Sequence, residues 1–268
     1  IRRYRMLLLG TGIAVLALVA CLPLNQINDV FNEYFDETFE VRRVNDFVMT
    51  ELSGMHRIDY SIDSGQESGT MEPGYLKQLD AFVEWLNDQP EVVYVNSYTD
   101  VIKRLNRDMH GGDPDWYSIP DERELVSQYT LLFELSLPQG LGLENQLDMS
   151  RQYSRVVVML KNIGSHPVLD FNARAERWLA ENTQPSMHAR GTGMDILFGR
   201  VTYRNIDSML TGAAIGLVTV SALLVLALRS WWYGFLSLLP NLLPALMSFG
   251  LWGLINGEIG LAVSVVAC

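Results

Sequence analysis

The stretch MLTGAAIGLVTVSALLVLAL, residues 209–228, decides how this chain is read. It contains no Asp, Glu, Lys, Arg or His. About 20 apolar residues suffice for a helix to cross a bilayer, and in lipid a helix satisfies each backbone N–H and C=O internally. Two other bare runs accompany it, residues 6–24 and 231–255, and a further apolar run begins at Ile259 and reaches Cys268. The pattern predicts a polytopic membrane protein: a first transmembrane helix (1–24), one large inserted polar domain (25–207), then second and third transmembrane helices and the start of a fourth (208–268).

Charge divides the same way. Residues 25–207 hold 30 Asp and Glu against 16 Lys and Arg, a net −14, whereas Arg2, Arg3, Arg5, Arg229 and Glu258 elsewhere sum to +3. An acidic polar block argues against nucleic acid, which requires a basic footprint, and against anionic headgroups. Arg2, Arg3 and Arg5 precede the first run, and Arg229 sits in the short connection after the second. Basic short loops stay cytoplasmic, so residues 25–207 are expected on the extracytoplasmic side. Tyr4, Trp231, Trp232 and Tyr233 fall where an interfacial aromatic belt belongs. The first run also has a basic n-region like a signal peptide, but it is 19 residues long and ends in the bulky Leu22–Pro23–Leu24.

Both cysteines, Cys21 and Cys268, lie in apolar runs, so residues 25–207 carry no disulfide framework. His56, His110, His166 and His188 show no metal-ligand spacing, and no metal or cofactor is expected. No nucleophile–base pattern, phosphate cradle or HExxH appears, so the chain is not read as an enzyme.

Within the polar block, residues 56–62 alternate with Ile58, Tyr60 and Ile62 on one side, as a strand does. Pro73 opens a helix with Leu76, Leu79, Val83 and Leu86 at helical spacing. Val92–Val93–Tyr94–Val95 reads as a buried strand. Thr99 or Asp100 could cap a short helix to about Arg107, and Asp121 another to about Phe133. The unit then recurs: a strand over 155–161, a helix from Pro167 with Val168, Phe171, Ala175, Trp178 and Leu179 on one face, and a short closing strand over 186–190. Strand–helix–strand twice predicts a ferredoxin-like βαβ-βαβ domain with a four-stranded sheet. After Gly191–Thr192–Gly193 a helix is expected from near Met194 straight into the second run.

Topology, the Asn28–Asp29, Tyr34–Phe35 and Arg42–Arg43 segment, the Gly191–Thr192–Gly193 turn, and Leu239–Pro240–Asn241–Leu242–Leu243–Pro244 with Gly250, Gly253 and Asn256–Gly257 together resemble one half of a resistance-nodulation-division (RND) transporter. The resemblance is to MMPL-type exporters, more to their C-terminal half. It covers nearly the whole chain, the polar block mainly in pattern. It implies a porter-type domain and a pump in the bacterial inner membrane, multi-pass, with residues 25–207 periplasmic. It also implies export of hydrophobic, amphiphilic or lipidic substrates driven by the proton gradient. Implied partners are membrane lipid and the other half of the transporter. A homo-oligomer is open. The proton-relay carboxylate of such pumps lies in the fourth span, and residues 259–268 hold none, so it is expected beyond Cys268. An ABC-type permease with a large extracytoplasmic domain and a non-transporting membrane sensor are the alternatives.

Structural candidates remain. Pro240 and Pro244 remove backbone donors, for a hinge or for a fixed kink. Asn241 offers an interhelical hydrogen bond. Gly212 and Gly216 form a small-xxx-small pair, for dimerisation or for packing inside the chain's own bundle, and Gly250 and Gly253 are read the same way. His110 with Asp113 and Asp115 reads as a turn, and Glu33, Asp36, Glu37 and Glu40 as solvated charges beside the first run or as a vestibule attracting cations.

Overall fold

The computed structural model describes residues 2–30, 34–52, 54, 56–138 and 142–267; some helix side chains, that of Asn241 among them, lie outside the description. In chain order the elements are α1 (Arg2–Ala20), β1 (Gln26–Ile27), α2 (Glu40–Phe47), β2 (His56–Asp63), α3 (Pro73–Asn87), β3 (Val92–Asn96), α4 (Tyr98–Met109), α5 (Arg123–Ser136), β4 (Tyr153–Leu160), α6 (Ser165–Asn182), α7 (Met194–Leu228), α8 (Trp231–Ile255), β5 (Glu258–Ile259) and α9 (Leu261–Ala267). They fall into two units. One comprises Ile1–Phe31, Gly164–His166 and Gly199–Cys268; the other comprises Asn32–Ile163 and Pro167–Phe198.

The second, polar unit is built on an antiparallel sheet of order β2–β4–β3. The period of two puts Ile58, Tyr60 and Ile62 of β2 on the same face as Val156, Val158 and Leu160 of β4, all fully buried. Onto that face pack Leu76, Leu79, Phe82, Val83 and Leu86 of α3 and Val168, Phe171, Ala175 and Leu179 of α6, in one core cluster. Each of these valine, leucine and phenylalanine side chains contributes about 1.5–3 kcal/mol relative to exposure, and Ala175 less. Pro73 stands at the first helical position of α3, where its missing N–H costs nothing. Ser97, rather than Thr99 or Asp100, caps α4 by accepting from the Thr99 N–H. Asp121 caps nothing and pairs with Lys77 at 2.5 Å.

Several polar groups inside this core are paired. Tyr60 Oη donates to Asn172 Oδ1 at 3.1 Å, Tyr75 Oη to the Ile62 carbonyl at 3.1 Å, and Tyr98 Oη bonds Thr130 Oγ1. Lys103 of α4, nearly buried, bonds Asp80 of α3 at 2.6 Å and lies 5.1 Å from the Tyr117 ring centroid. Burial works to lower its pKa, but the hydrogen bond and charge of Asp80, with Asp100 behind, hold the ammonium above the ordinary lysine value.

Three expectations are corrected. The first is the membrane helical bundle. Among the described residues one helical stretch, Met194–Ala227, is long and apolar enough to cross a membrane, by length and composition alone. The other apolar helical stretches among the described residues are shorter, Gly10–Leu24, which runs past the end of α1, and Leu242–Ile255 in α8. By length and composition, the described residues therefore support one membrane-crossing helix rather than a bundle of them. The second is the four-stranded ferredoxin-like sheet, which has three strands. The segment expected to close it instead forms a turn at Pro185–Met187, where proline cannot donate to a ladder. A single bridge between Asp59 and Thr192 follows it, with both N–H···O distances 2.8 Å. The third is β3, which is an edge strand with Val93 and Tyr94 exposed and a register shift between Val92 and Tyr94.

In the first unit, β1 and β5 pair in parallel, Gln26 with Glu258 and Ile27 with Ile259. α1 and α8 pack together. α8 stays helical through both Pro240 and Pro244.

Candidate functional site: a groove on the open face of the sheet

The alternation that buries Val156, Val158 and Leu160 sends Arg155, Val157 and Met159 to the opposite face. Register then assembles a grid there. Arg57, Met159 and Tyr94 form one row, Asp59, Val157 and Asn96 the next, and Ser61 with Arg155 the third. Phe133 and Leu137 at the end of α5, with Leu143 and Gln146 of the following turn, wall this face into a groove of about 650 Å³, within the range of small-molecule sites. The turn is tied to the sheet: the Arg155 N–H donates to the Gln146 carbonyl at 2.8 Å, and Gln146 Nε2 to Asn96 Oδ1 at 3.3 Å.

The groove is amphipathic. Tyr94, Phe133, Leu143, Val157 and Met159 supply apolar wall, and Arg57 and Arg155 supply charge. Asp59 Oδ1 accepts from Arg57 Nε and Nη2, both at 3.2 Å, and from Arg155 Nε at 3.0 Å. One carboxylate therefore orients two guanidiniums, leaving a local net of +1. Two further cavities adjoin. One of about 330 Å³ shares Arg155, Asn145 and Gln146. Another of about 740 Å³ is acidic, lined by Glu134, Glu144 and Asp148, and its Arg151 pairs with Glu134 at 2.9 Å.

The residues singled out from the sequence lie elsewhere. Gly191 is buried, and a Cβ there would stand 1.9 Å from Asn172 Oδ1; Gly193 has φ +145°, with a virtual Cβ 2.6 Å from the Arg57 carbonyl. Both let the chain lie against the core before α7 starts. Asp195 in the first turn of α7 accepts from the Arg57 N–H at 2.9 Å and meets His56 Nδ1 at 2.7 Å. Gly212 and Gly216 face open space, with nothing within 4 Å of a virtual Cβ. Gly250 and Gly253 lie against α1 and the turn after it, with virtual Cβ atoms 1.9 Å from the Leu18 carbonyl and 2.8 Å from that of Cys21. Pro244 borders a cavity of about 630 Å³ with Phe249, Trp252 and Val263. Pro240 is solvent-exposed, and the Asn241 side chain is outside those described.

Asn28 and Asp29 join a polar knot in the first unit. Asn28 Nδ2 donates to Glu258 Oε1 at 3.1 Å, the His166 N–H to Asn28 Oδ1 at 3.3 Å, and the Asp29 N–H to Ser165 Oγ at 3.2 Å. In the acidic segment Glu33 lies outside the described residues, while Asp36 accepts from the Thr38 N–H at 2.9 Å. His110 stacks on Trp116 at 3.6 Å, and Asp113 turns the chain by accepting from the Asp115 N–H. Among the described residues no group of three or more His, Cys, Asp or Glu assembles that could hold a metal ion.

Sequence reasoning missed the groove. Its signal is the unbroken apolar run Val156–Val157–Val158–Met159–Leu160, which makes both faces of the strand apolar and so asks for a cover on each. No protein-family model matches the chain, and no curated protein matches it.

Proposed function

We propose that this chain is part of a proton-motive-force-driven exporter of the RND/MMPL type, and that the polar unit handles hydrophobic, amphiphilic or lipidic substrates. The observation that carries the reading is the groove of Arg57, Tyr94, Phe133, Arg155, Val157 and Met159: apolar walls beside an oriented charge suit an amphiphile. It is supported by α7, which includes a stretch able by length and composition to cross a membrane, nearly all of it exposed. In this reading the protein resides in the bacterial inner membrane with residues 25–207 on the periplasmic side, and its partners are membrane lipid and the remaining half of the transporter.

The test is transport of a fluorescent lipid analogue by membrane vesicles carrying the full-length protein. Export should collapse when a protonophore dissipates the gradient. ATP-dependent export insensitive to the protonophore would replace this reading with that of an ABC-type permease. Ile206, fully buried in the interior of α7, provides a sharper arm. Proline there removes a helical hydrogen bond and clashes with the preceding turn, at about 3 kcal/mol or more. Ile206→Pro is expected to abolish export while the protein still fractionates with membranes; export at the unmutated rate would contradict a working role for this helix.

A further inference from the structure

We infer that the groove on the open face of the sheet selects a single-chain amphiphile with an anionic head group, read by Arg57 and Arg155. The inference rests on the reading that the polar unit handles amphiphiles and adds the sign of the head group.

Three observations lead to it. First, the guanidiniums are held but not used up. Each arginine presents five N–H donors; Arg57 spends Nε and Nη2, and Arg155 Nε, on one oxygen of Asp59. Both side chains remain close to half exposed and line the groove. A planar fork held in place by a carboxylate is preorganised to receive a second carboxylate or a phosphate. Second, the contrast between neighbouring cavities is one of sign. The larger one is lined by Glu134, Glu144 and Asp148 against one arginine, paired with Glu134, whereas the groove is lined by two arginines that share the single carboxylate of Asp59 beside it. The unit as a whole is acidic, so its long-range field repels anions, and recognition of one must come from these two side chains. Third, the charge lies at one side of an apolar platform formed by Val157, Met159, Tyr94 and Phe133. A head group that meets the N–H groups of Arg57 and Arg155 left over by Asp59 leaves its tail on that platform.

The bland alternative is a cross-strand ion-pair cluster that only stabilises the sheet. Photolabelling separates the two. The full chain in phosphatidylcholine nanodiscs is exposed to dodecanoate carrying a terminal diazirine, or to an alkyl trimethylammonium probe of the same chain, and adducts are mapped by mass spectrometry. The carboxylate probe is expected to mark Phe133, Val157 or Met159 at least about tenfold more than the cationic probe, the size of one charge-assisted hydrogen bond. The double substitution Arg57→Gln with Arg155→Gln should lower that labelling about tenfold, with adducts on α7 unchanged as the internal control for probe in the lipid. The Arg57→Lys, Arg155→Lys pair, which keeps the charge and loses the fork, should retain more of it than the glutamine pair, which also controls for folding. Equal labelling by both probes, or undiminished labelling of the glutamine variant, overturns the head-group assignment and leaves the groove as a general amphiphile site. Adducts on α7 with none in the groove overturn the site altogether. Protonophore-sensitive export beside an unlabelled groove would sink this inference while the export reading stood.

Discussion

Gly250→Ala is expected to destabilise the first unit by about 1–3 kcal/mol or more, whereas Gly212→Ala should be neutral or stabilising by up to about 1 kcal/mol. The same substitution on two apolar helices thus carries opposite signs. At Gly250 the new carbon would lie 1.9 Å from the Leu18 carbonyl oxygen and 2.6 Å from its carbon. Both are backbone atoms inside a helix and have no rotamer by which to yield, so α8 must move off α1. Asn25, which donates to the Phe249 carbonyl at 2.8 Å, would lose that bond as the helices part. At Gly212 nothing lies within 4 Å, and alanine only removes the backbone freedom that glycine loses on forming helix. Thermal unfolding of both variants, followed by circular dichroism, checks the pair. An unchanged midpoint for Gly250→Ala would mean that α1 and α8 are not in the contact described.

The second large effect lies in the polar unit. Phe82→Ala is expected to cost about 3–5 kcal/mol, a large share of the roughly 5–15 kcal/mol that holds a typical domain together. Phe82 is fully buried. Its ring stacks on Trp178 at 5.4 Å and on Trp85 at 6.2 Å and meets Tyr60 edge-on at 5.6 Å, while the two tryptophans stack on each other at 5.8 Å. Removing the central ring leaves a cavity between α3, α6 and β2 that three large neighbours cannot all collapse into. Tryptophan fluorescence in a denaturant titration reads the loss directly. A shift below about 1 kcal/mol would show that the cluster repacks, contrary to the usual behaviour of aromatic deletions.

What was legible in the sequence follows from the physics of each signal. The helix opened by Pro73 was readable because its four periodic apolar residues are all core residues, and periodicity reports burial directly. The start of α7 near Met194 was readable from the glycine turn before it. The strand pairing was not: β3 contains Val92–Val93–Tyr94–Val95, which composition alone cannot distinguish from a buried strand, and only the register shows an edge. The closing strand failed because propensity over residues 186–190 says nothing of the partner, and Pro185 spends the segment on a turn. Membrane spans were over-read because every bare run was counted as a crossing, whereas one helical stretch among the described residues meets the length and composition a crossing needs. The two glycine pairs looked alike as motifs, and only the neighbours of each Cβ separate them. The groove stayed hidden for a related reason: its residues are spread from Arg57 to Met159 and meet only through cross-strand register.

Tyr60, Tyr75 and Tyr98 give the polar unit a built-in optical gauge. Burial pushes all three phenols well above their ordinary values, aided at Tyr60 by the charge of Glu176 and at Tyr75 by that of Asp63. Such groups cannot shed their protons while the interior stays closed, so in alkali their phenolate absorbance emerges only as molecules open. The slow component of that colour change therefore counts openings of this one unit, with no label attached.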